Sequence, residues 1–186
     1  MQIIILAMKE RQAYVDYLKN ILPDSIVCFD EERSAMATFF KGIRISQDKP
    51  TIFLEDDILL TENFQQKASE VISNFPNKII QFFSMRKADI DVGSRWDNTF
   101  TMNQCFYLPT GYGSQIINFY NGYWTEINFD GNRPTSAKDL MMRRWMQKRK
   151  EKYWLHCPSL VQHRVTKSLI DPRRSSKRQS FTFKEK

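Results

Sequence analysis

Apolar positions in the first sixty residues fall into two alternating rhythms. Ile3 to Ala7 is a short β-branched run without polar interruption, the pattern of a strand buried in a parallel sheet. Lys9-Glu10-Arg11 ends it, and Tyr14, Tyr17, Leu18, Ile21 and Leu22 then recur at helical spacing until Pro23-Asp24. Ser25 to Phe29 reads as a second strand, closing on Asp30-Glu31-Glu32. Ser34 caps a predicted helix with Met36, Phe39, Phe40 and Ile43 as its buried stripe. After the Lys49-Pro50 turn, Thr51-Ile52-Phe53-Leu54 is a third strand running straight into Glu55-Asp56-Asp57. Strand, helix, strand, helix, strand in this order predicts an α/β protein with right-handed crossovers.

The pattern then loosens. Thr61 is the expected cap of a helix through about Val71, with Phe64, Ala68 and Val71 on one face, and Asn77 to Phe83 reads as a strand. Residues 86–103 are polar and predict a loop over the sheet edge; Gln104 to Leu108 is another short strand. Pro109 to Gly113 turns into a helix carrying Ile116, Ile117 and Phe119, and residues 121–135 form a long predicted loop. Thr135 or Ser136 caps a basic helix with Leu140, Met141, Arg144, Trp145 and Met146; Tyr153 to Leu155 is a last strand, before Pro158 to His163. One domain is expected through residue 170, followed by a basic, flexible tail over 171–186.

Composition narrows the class. A hydrophobic share of 41% and an aromatic share of 13% are those of a folded chain. Cys28, Cys105 and Cys157 are odd in number and widely spaced, so buried reduced thiols are expected rather than a disulfide framework. No stretch approaches the roughly 20 apolar residues that span a bilayer, and a soluble, cytoplasmic protein is the expectation. Charge is lopsided: residues 1–132 hold 12 Lys/Arg against 17 Asp/Glu, whereas residues 133–186 hold 16 against 4. A basic final third points to a polyanionic partner, or else to a solubilising face with a frayed tail.

Chemistry concentrates at the end of the third strand. Three consecutive carboxylates repel one another, and a hard divalent cation would relieve that repulsion. Ligands of open α/β sheets bind at this end of the strands. A solvated acidic turn is the competing reading. Asp30, at the end of the second strand, is placed to accept hydrogen bonds from a base or a ribose hydroxyl, and Lys9 and Arg11 to meet base or phosphate. His163 follows an apolar run and is either a ligand or a structural imidazole. Arg164 and Lys167 beside it suit a leaving diphosphate. Asp139, in the first turn of the basic helix, is a candidate general base, though a carboxylate there also compensates the helix dipole. Arg143, Arg144, Lys148, Arg149, Lys150 and Lys152 are interleaved with Trp145, Tyr153 and Trp154, which suits a phosphate backbone with an unstacked base unless the aromatics are core.

Phe53-Leu54-Glu55-Asp56-Asp57-Ile58 resembles the acidic metal motif of GT-A glycosyltransferases, in the Glu-Asp-Asp form of the lipopolysaccharide glycosyltransferases and small phage relatives. The strand Ile3–Ala7 with Arg11 beyond it, and Pro158 to His163 with Ser168 following, are similar to the segments that open and close such domains. The resemblance implies a GT-A-like, mainly parallel mixed sheet flanked by helices. It also implies Mn²⁺ or Mg²⁺ bridging a nucleoside diphosphate sugar, most often a UDP-sugar. Asp57 maps to the metal ligand and His163 to the late histidine, with Glu55 and Asp56 on the donor side. The reading is a metal-dependent transfer of sugar to a hydroxyl, with Asp139 as base. The acceptor is a hydroxymethylated base in phage DNA or, alternatively, lipopolysaccharide or another glycan. A non-enzymatic nucleic-acid-binding protein is the remaining alternative.

Overall fold

The computed structural model of the 186-residue chain describes residues 1–101, 104–124, 138–170 and 176–185. Strand β1 (Gln2–Ala7) lies between β2 (Ile26–Phe29) and β3 (Thr51–Glu55), both parallel to it. Its successive side chains point to opposite faces: Ile4 and Leu6 join Phe39, Phe53 and Phe106 in one core, while Ile3, Ile5 and Ala7 join Val15, Leu18, Ile52 and Leu54 in another. Both faces are covered, which is why the run is apolar without alternation.

Helices fill the two layers unequally. A short 3₁₀ turn (Lys9–Arg11) and α1 (Gln12–Ile21) follow β1, and α1 packs on the second face. Helix α2 (Ala35–Ser46), capped as expected by Ser34 Oγ accepting from the Ala37 N–H at 3.1 Å, covers the first face. Gly42 sets how close it comes, since a β-carbon there would stand 3.0 Å from Leu6 and 3.1 Å from Phe53. Beyond β3 come β4 (Ile58–Leu60) and α3 (Phe64–Asn74), with Phe64 and Ala68 on the second face. Thr61 does not cap α3. The cap position is Asn63, in a left-handed conformation, and the Thr61 hydroxyl is bonded to the Lys184 carbonyl instead.

The sheet continues with β5 (Ile80–Gln81), β6 (Arg95–Asp97), β7 (Cys105–Leu108) and β8 (Tyr153–Leu155), in the order β2-β1-β3-β7-β5-β8-β6. β7 and β6 run against the other five strands, so the sheet is mixed and mainly parallel, as expected. The predicted loop over 86–103 is in part ordered structure: a helical turn α4 (Asp89–Val92) and then β6. Charge pairing explains it, because Arg95 reaches Asp89 at 2.7 Å and Arg86 reaches Asp97 at 2.9 Å. Helices α5 (Tyr112–Phe119), running on into a π-helical turn at Tyr120–Trp124, and α6 (Lys138–Lys148) complete the first face. The expected cap of α6 at Thr135 or Ser136 lies outside the described residues.

A separate two-stranded ribbon pairs β4 with β9 (Val161–His163), in antiparallel register Ile58 to His163 and Leu60 to Val161. Residues 176–185, the described part of the expected tail, are hydrogen-bonded to the rest of the fold. They lie along this ribbon, with the Ser180 N–H donating to Gln162 at 2.7 Å and the Glu62 N–H to the Glu185 carbonyl at 2.9 Å. Small hydroxyl side chains within a basic stretch made this invisible to composition. All three cysteines are free thiols, Cys28 and Cys105 buried. Among the described residues no helix is long and apolar enough to cross a membrane.

Candidate functional site

Strands β1, β2 and β3 end at one edge of the sheet, with Leu6 opposite Glu55 and Ala7 opposite Phe29. The backbone stays in register one residue further: the Asp30 N–H donates to the Ala7 carbonyl at 2.7 Å, and the Asp56 N–H to the Leu6 carbonyl at 3.1 Å. Three strand ends therefore present Met8, Asp30 and the acidic run to one pocket on rigid backbone, where ligands of open α/β sheets bind. The pocket is a partly open cleft with about 80 Å³ of room for water-sized groups.

Each carboxylate of the acidic run meets a protein cation. Glu55 accepts from Lys138 Nζ at 3.0 Å, an ammonium that is itself only 3% exposed. Asp56 accepts from the Met8 N–H and from Arg11 Nη1, both at 2.8 Å. The same Arg11 Nη1 reaches Asp57 Oδ2 at 2.6 Å, and Nη2 donates to the Lys167 carbonyl at 2.8 Å. The repulsion expected of three adjacent acids is thus answered largely by Arg11 and Lys138.

His163 joins this network through strand register. Pairing Ile58 with His163 puts the imidazole beside Asp57, and the Arg164 N–H extends the ribbon by donating to the Asp57 carbonyl at 2.8 Å. His163 Nε2 lies 3.3 Å from Asp57 Oδ2, an ion-pair distance without hydrogen-bond alignment. Burial and then Asp57 push the Asp56 carboxyl up to about 6, against the pull of the Met8 N–H and Arg11. Burial pushes Asp57 up as well, but the His163 contact, Arg11 and Arg178 outweigh it and hold that carboxyl below its ordinary value.

Arg11, Asp30, Glu55, Asp56 and Asp57 all line the pocket, and His163 sits behind Asp57, wholly buried. Asp30 Oδ1 accepts from the Glu32 and Ser34 N–H groups at 2.8 and 3.2 Å, while its buried Oδ2 has no hydrogen-bond partner. Other expected residues are placed elsewhere. Lys9 is exposed outside the pocket, and Lys167 gives only its backbone carbonyl. The Arg164 guanidinium stacks on Tyr14 and Tyr17, 4.7 Å from each ring centre. Asp139 is half-buried and does not line the pocket; its neighbour Lys138 does. The interleaved aromatics are largely core: Trp145 is 3% exposed and Tyr153 is fully buried.

Among the pocket cations, Lys138 is not assigned to the site by sequence, and Arg178 is read there only as one of the basic residues of the C-terminal third. Arg178 stands among basic neighbours and Lys138 beside the more conspicuous Asp139, so neither is separated from its surroundings. Among the described residues, no group of three or more His, Cys, Asp or Glu side chains is arranged to hold an ion. Besides Asp30 Oδ2, two groups at the acidic run keep unspent electron pairs: Asp57 Oδ1 and the imidazole of His163, whose two nitrogens make no hydrogen bond. Mg²⁺-type sites commonly take one or two protein ligands plus substrate phosphates, so this pair fits a divalent cation.

No family model matches the sequence, and no curated protein does. Among solved structures, A197 from STIV is similar with a TM-score of 0.54 at 9% identity, covering 89% of this chain and 87% of that one. At that identity the likeness is one of fold. A glycosyltransferase involved in the glycosylation of the major capsid of PBCV-1 shows 13% identity and a TM-score of 0.44, over 90% of this chain and 95% of its own. Apo UDP-glucose pyrophosphorylase shows 6% and 0.46, over 83% and 72%. Both scores lie below 0.5, too low to add to the fold assignment.

Proposed function

We propose that the pocket binds a nucleoside diphosphate sugar and that the protein transfers the sugar to a hydroxyl acceptor on a GT-A-like scaffold. One observation carries the reading: a single pocket at the strand ends combines a buried, unpartnered acceptor, Asp30 Oδ2, with the cations Arg11, Lys138 and Arg178. An acceptor suits a base N–H or ribose hydroxyl, and fixed cations suit a diphosphate. A UDP-sugar is the first donor to try.

In the proposed reaction the acceptor oxygen bonds to the anomeric carbon as the bond from that carbon to the diphosphate oxygen breaks. The electron pair leaves with the nucleoside diphosphate, and the acceptor proton goes to a carboxylate of the pocket rather than to Asp139, which does not line it. Lys138 and Arg11 hold the donor's anionic end. Asp57 and His163 would hold Mn²⁺ or Mg²⁺, which when bound supplies positive charge to the departing diphosphate.

The proposed acceptor is anionic, with a hydroxymethylated base in phage DNA as the leading case. Arg144, Lys148, Arg149, Lys150 and Lys152 are all exposed along the end of α6 and its exit. Lipopolysaccharide or another glycan is the alternative acceptor.

Thermal unfolding with a panel of nucleotide sugars, with and without Mn²⁺, tests the donor assignment. A true donor at 100 times its Kd should raise Tm by about 5 °C or more. If no nucleotide sugar moves Tm while DNA does, the enzymatic reading fails in favour of a nucleic-acid-binding protein.

A further inference from the structure

Trp96 is 41% exposed on β6, the outermost strand of the sheet. Register sets it opposite Trp154 of β8, with ring centres 5.3 Å apart. Phe75, at the end of α3, lies 5.1 Å from Trp96 and 4.6 Å from Trp154. Trp96 meets both rings edge-on, at 73° and 70°, so neither lies flat against it. Phe75 and Trp154 are half-buried against the second core, whereas Trp96 lies outside that core and turns ring surface to solvent. Arg95 and Asp97 on either side of it point to the opposite face. There Asp89 and Arg86 pin them at 2.7 and 2.9 Å, so the aromatic platform rests on fixed backbone. Cations flank the platform at both ends of β8. Lys152, exposed, stands two residues before Trp154, where the basic exit of α6 runs into the strand. Two residues beyond Trp154, His156 enters a cleft whose walls include Lys67 and Lys184, with Glu70 as the opposing carboxylate. Asp97 and Glu151, the acids next to these strands, are paired with arginines.

We propose that this face binds single-stranded nucleic acid, with an unpaired base stacked on Trp96 and the backbone held by Lys152 at one end of β8 and by Lys67 and Lys184 at the other. A ring on a rigid support offers stacking to any base, and cations on both sides of it suit the phosphates that flank that base. A neutral glycan would use the ring but leave the cations without a counterpart, which favours the nucleic acid. Bases inside a duplex are stacked on one another, so the ring selects a strand with a base out of its stack. In the sheet order β6 stands four strands from β3, about 19 Å at the usual strand spacing. The platform is therefore a second site, separate from the donor pocket. That the bound strand is also the sugar acceptor rests on the reading above; its binding here does not.

Fluorescence anisotropy of the full chain with labelled oligothymidylate, and with an abasic strand of the same length, tests the site. The parent should bind oligothymidylate about fivefold or more tighter than the abasic strand. Trp96→Ala should weaken oligothymidylate about tenfold and leave the abasic strand within twofold. Trp96→Phe, which keeps a ring, should recover much of the loss. Lys152→Gln should weaken both strands alike and flatten the salt slope on each by about 0.7. Thermal unfolding of each variant corrects for any unfolded fraction. Oligothymidylate and abasic affinities that agree within twofold in the parent overturn the proposal, as does oligothymidylate affinity in Trp96→Ala within twofold of the parent. A parent that fails to bind oligothymidylate overturns it too, and Trp96-dependent binding of maltoheptaose would then assign the face to glycans. Nucleotide sugars that shift no Tm in the parent, beside intact oligothymidylate binding, remove sugar transfer and leave the single-strand site standing.

Discussion

Arg11 Nη1 stands 2.6 Å from Asp57 Oδ2 and, through the same nitrogen, 2.8 Å from Asp56 Oδ1. One guanidinium thus holds two neighbouring carboxylates, each only 3% exposed, at the end of an apolar strand. Removing one side of a buried ion network costs about 3–5 kcal/mol, because the other side keeps its desolvated charge. Arg11→Gln should therefore lower Tm by roughly 10 °C, measured calorimetrically. Adding Asp56→Asn should restore part of the loss. An unchanged Tm in Arg11→Gln would mean that Lys138, Arg178 and His163 carry the acidic run without it.

Asp56 gives the network a pH signature. Its carboxyl is raised to about 6 from 3.8 by burial and by Asp57, so the folded chain binds this proton more tightly than the unfolded chain. The resulting stabilisation is fully present below 3.8 and is lost as pH rises through about 6. Relative to Asp56→Asn, the parent should lose roughly 2 kcal/mol between pH 4 and pH 7. Denaturant titrations in EDTA at stepped pH measure this difference. A gap between the two proteins that stays constant with pH would refute it.

The first half of this architecture was legible because each signal was local. The apolar run Ile3–Ala7, the stripe of α2 and the strand leading into Glu55 are short-range patterns with direct physical causes. The acidic run stood out as a candidate site for the same reason: three adjacent carboxylates ending a buried strand need an explanation. Its partners were not, since Lys138 and Arg178 reach it through tertiary contacts that no spacing encodes. Strand β4 was missed because Ile58-Leu59-Leu60 is too short to separate from a turn, and its pairing partner lies a hundred residues away. Arg164 misled because a cation next to His163 is one residue out of phase, and its side chain stacks on Tyr14 and Tyr17.

Asp57 Oδ1 and the His163 ring are unspent electron-pair donors at the acidic run. If they hold a divalent cation with the donor phosphates, Mn²⁺ should raise Tm further in the presence of UDP than the two separate effects predict. Asp57→Asn should remove this extra shift, and His163→Gln should reduce it, while binding of UDP alone changes less. An extra shift that survives in Asp57→Asn would move the cation to other residues.

The acceptor assignment depends on charge that remains outside the donor site. Arg178 is used in the pocket and Trp145 is core, so deletion of the C-terminal residues would confound donor and acceptor effects. Arg144 and Lys152 are exposed and lie outside the pocket lining, which makes them the cleaner probes. Each phosphate contact contributes about 0.9 to the slope of log affinity against log salt on duplex DNA. Replacing both with Gln should therefore flatten that slope by up to about 1.8 and weaken DNA binding, with pyrophosphate affinity unchanged. Fluorescence anisotropy on a labelled duplex across a salt series gives the slope. An unaltered slope, with donor binding intact, would remove DNA from this face and leave a glycan as the acceptor to test.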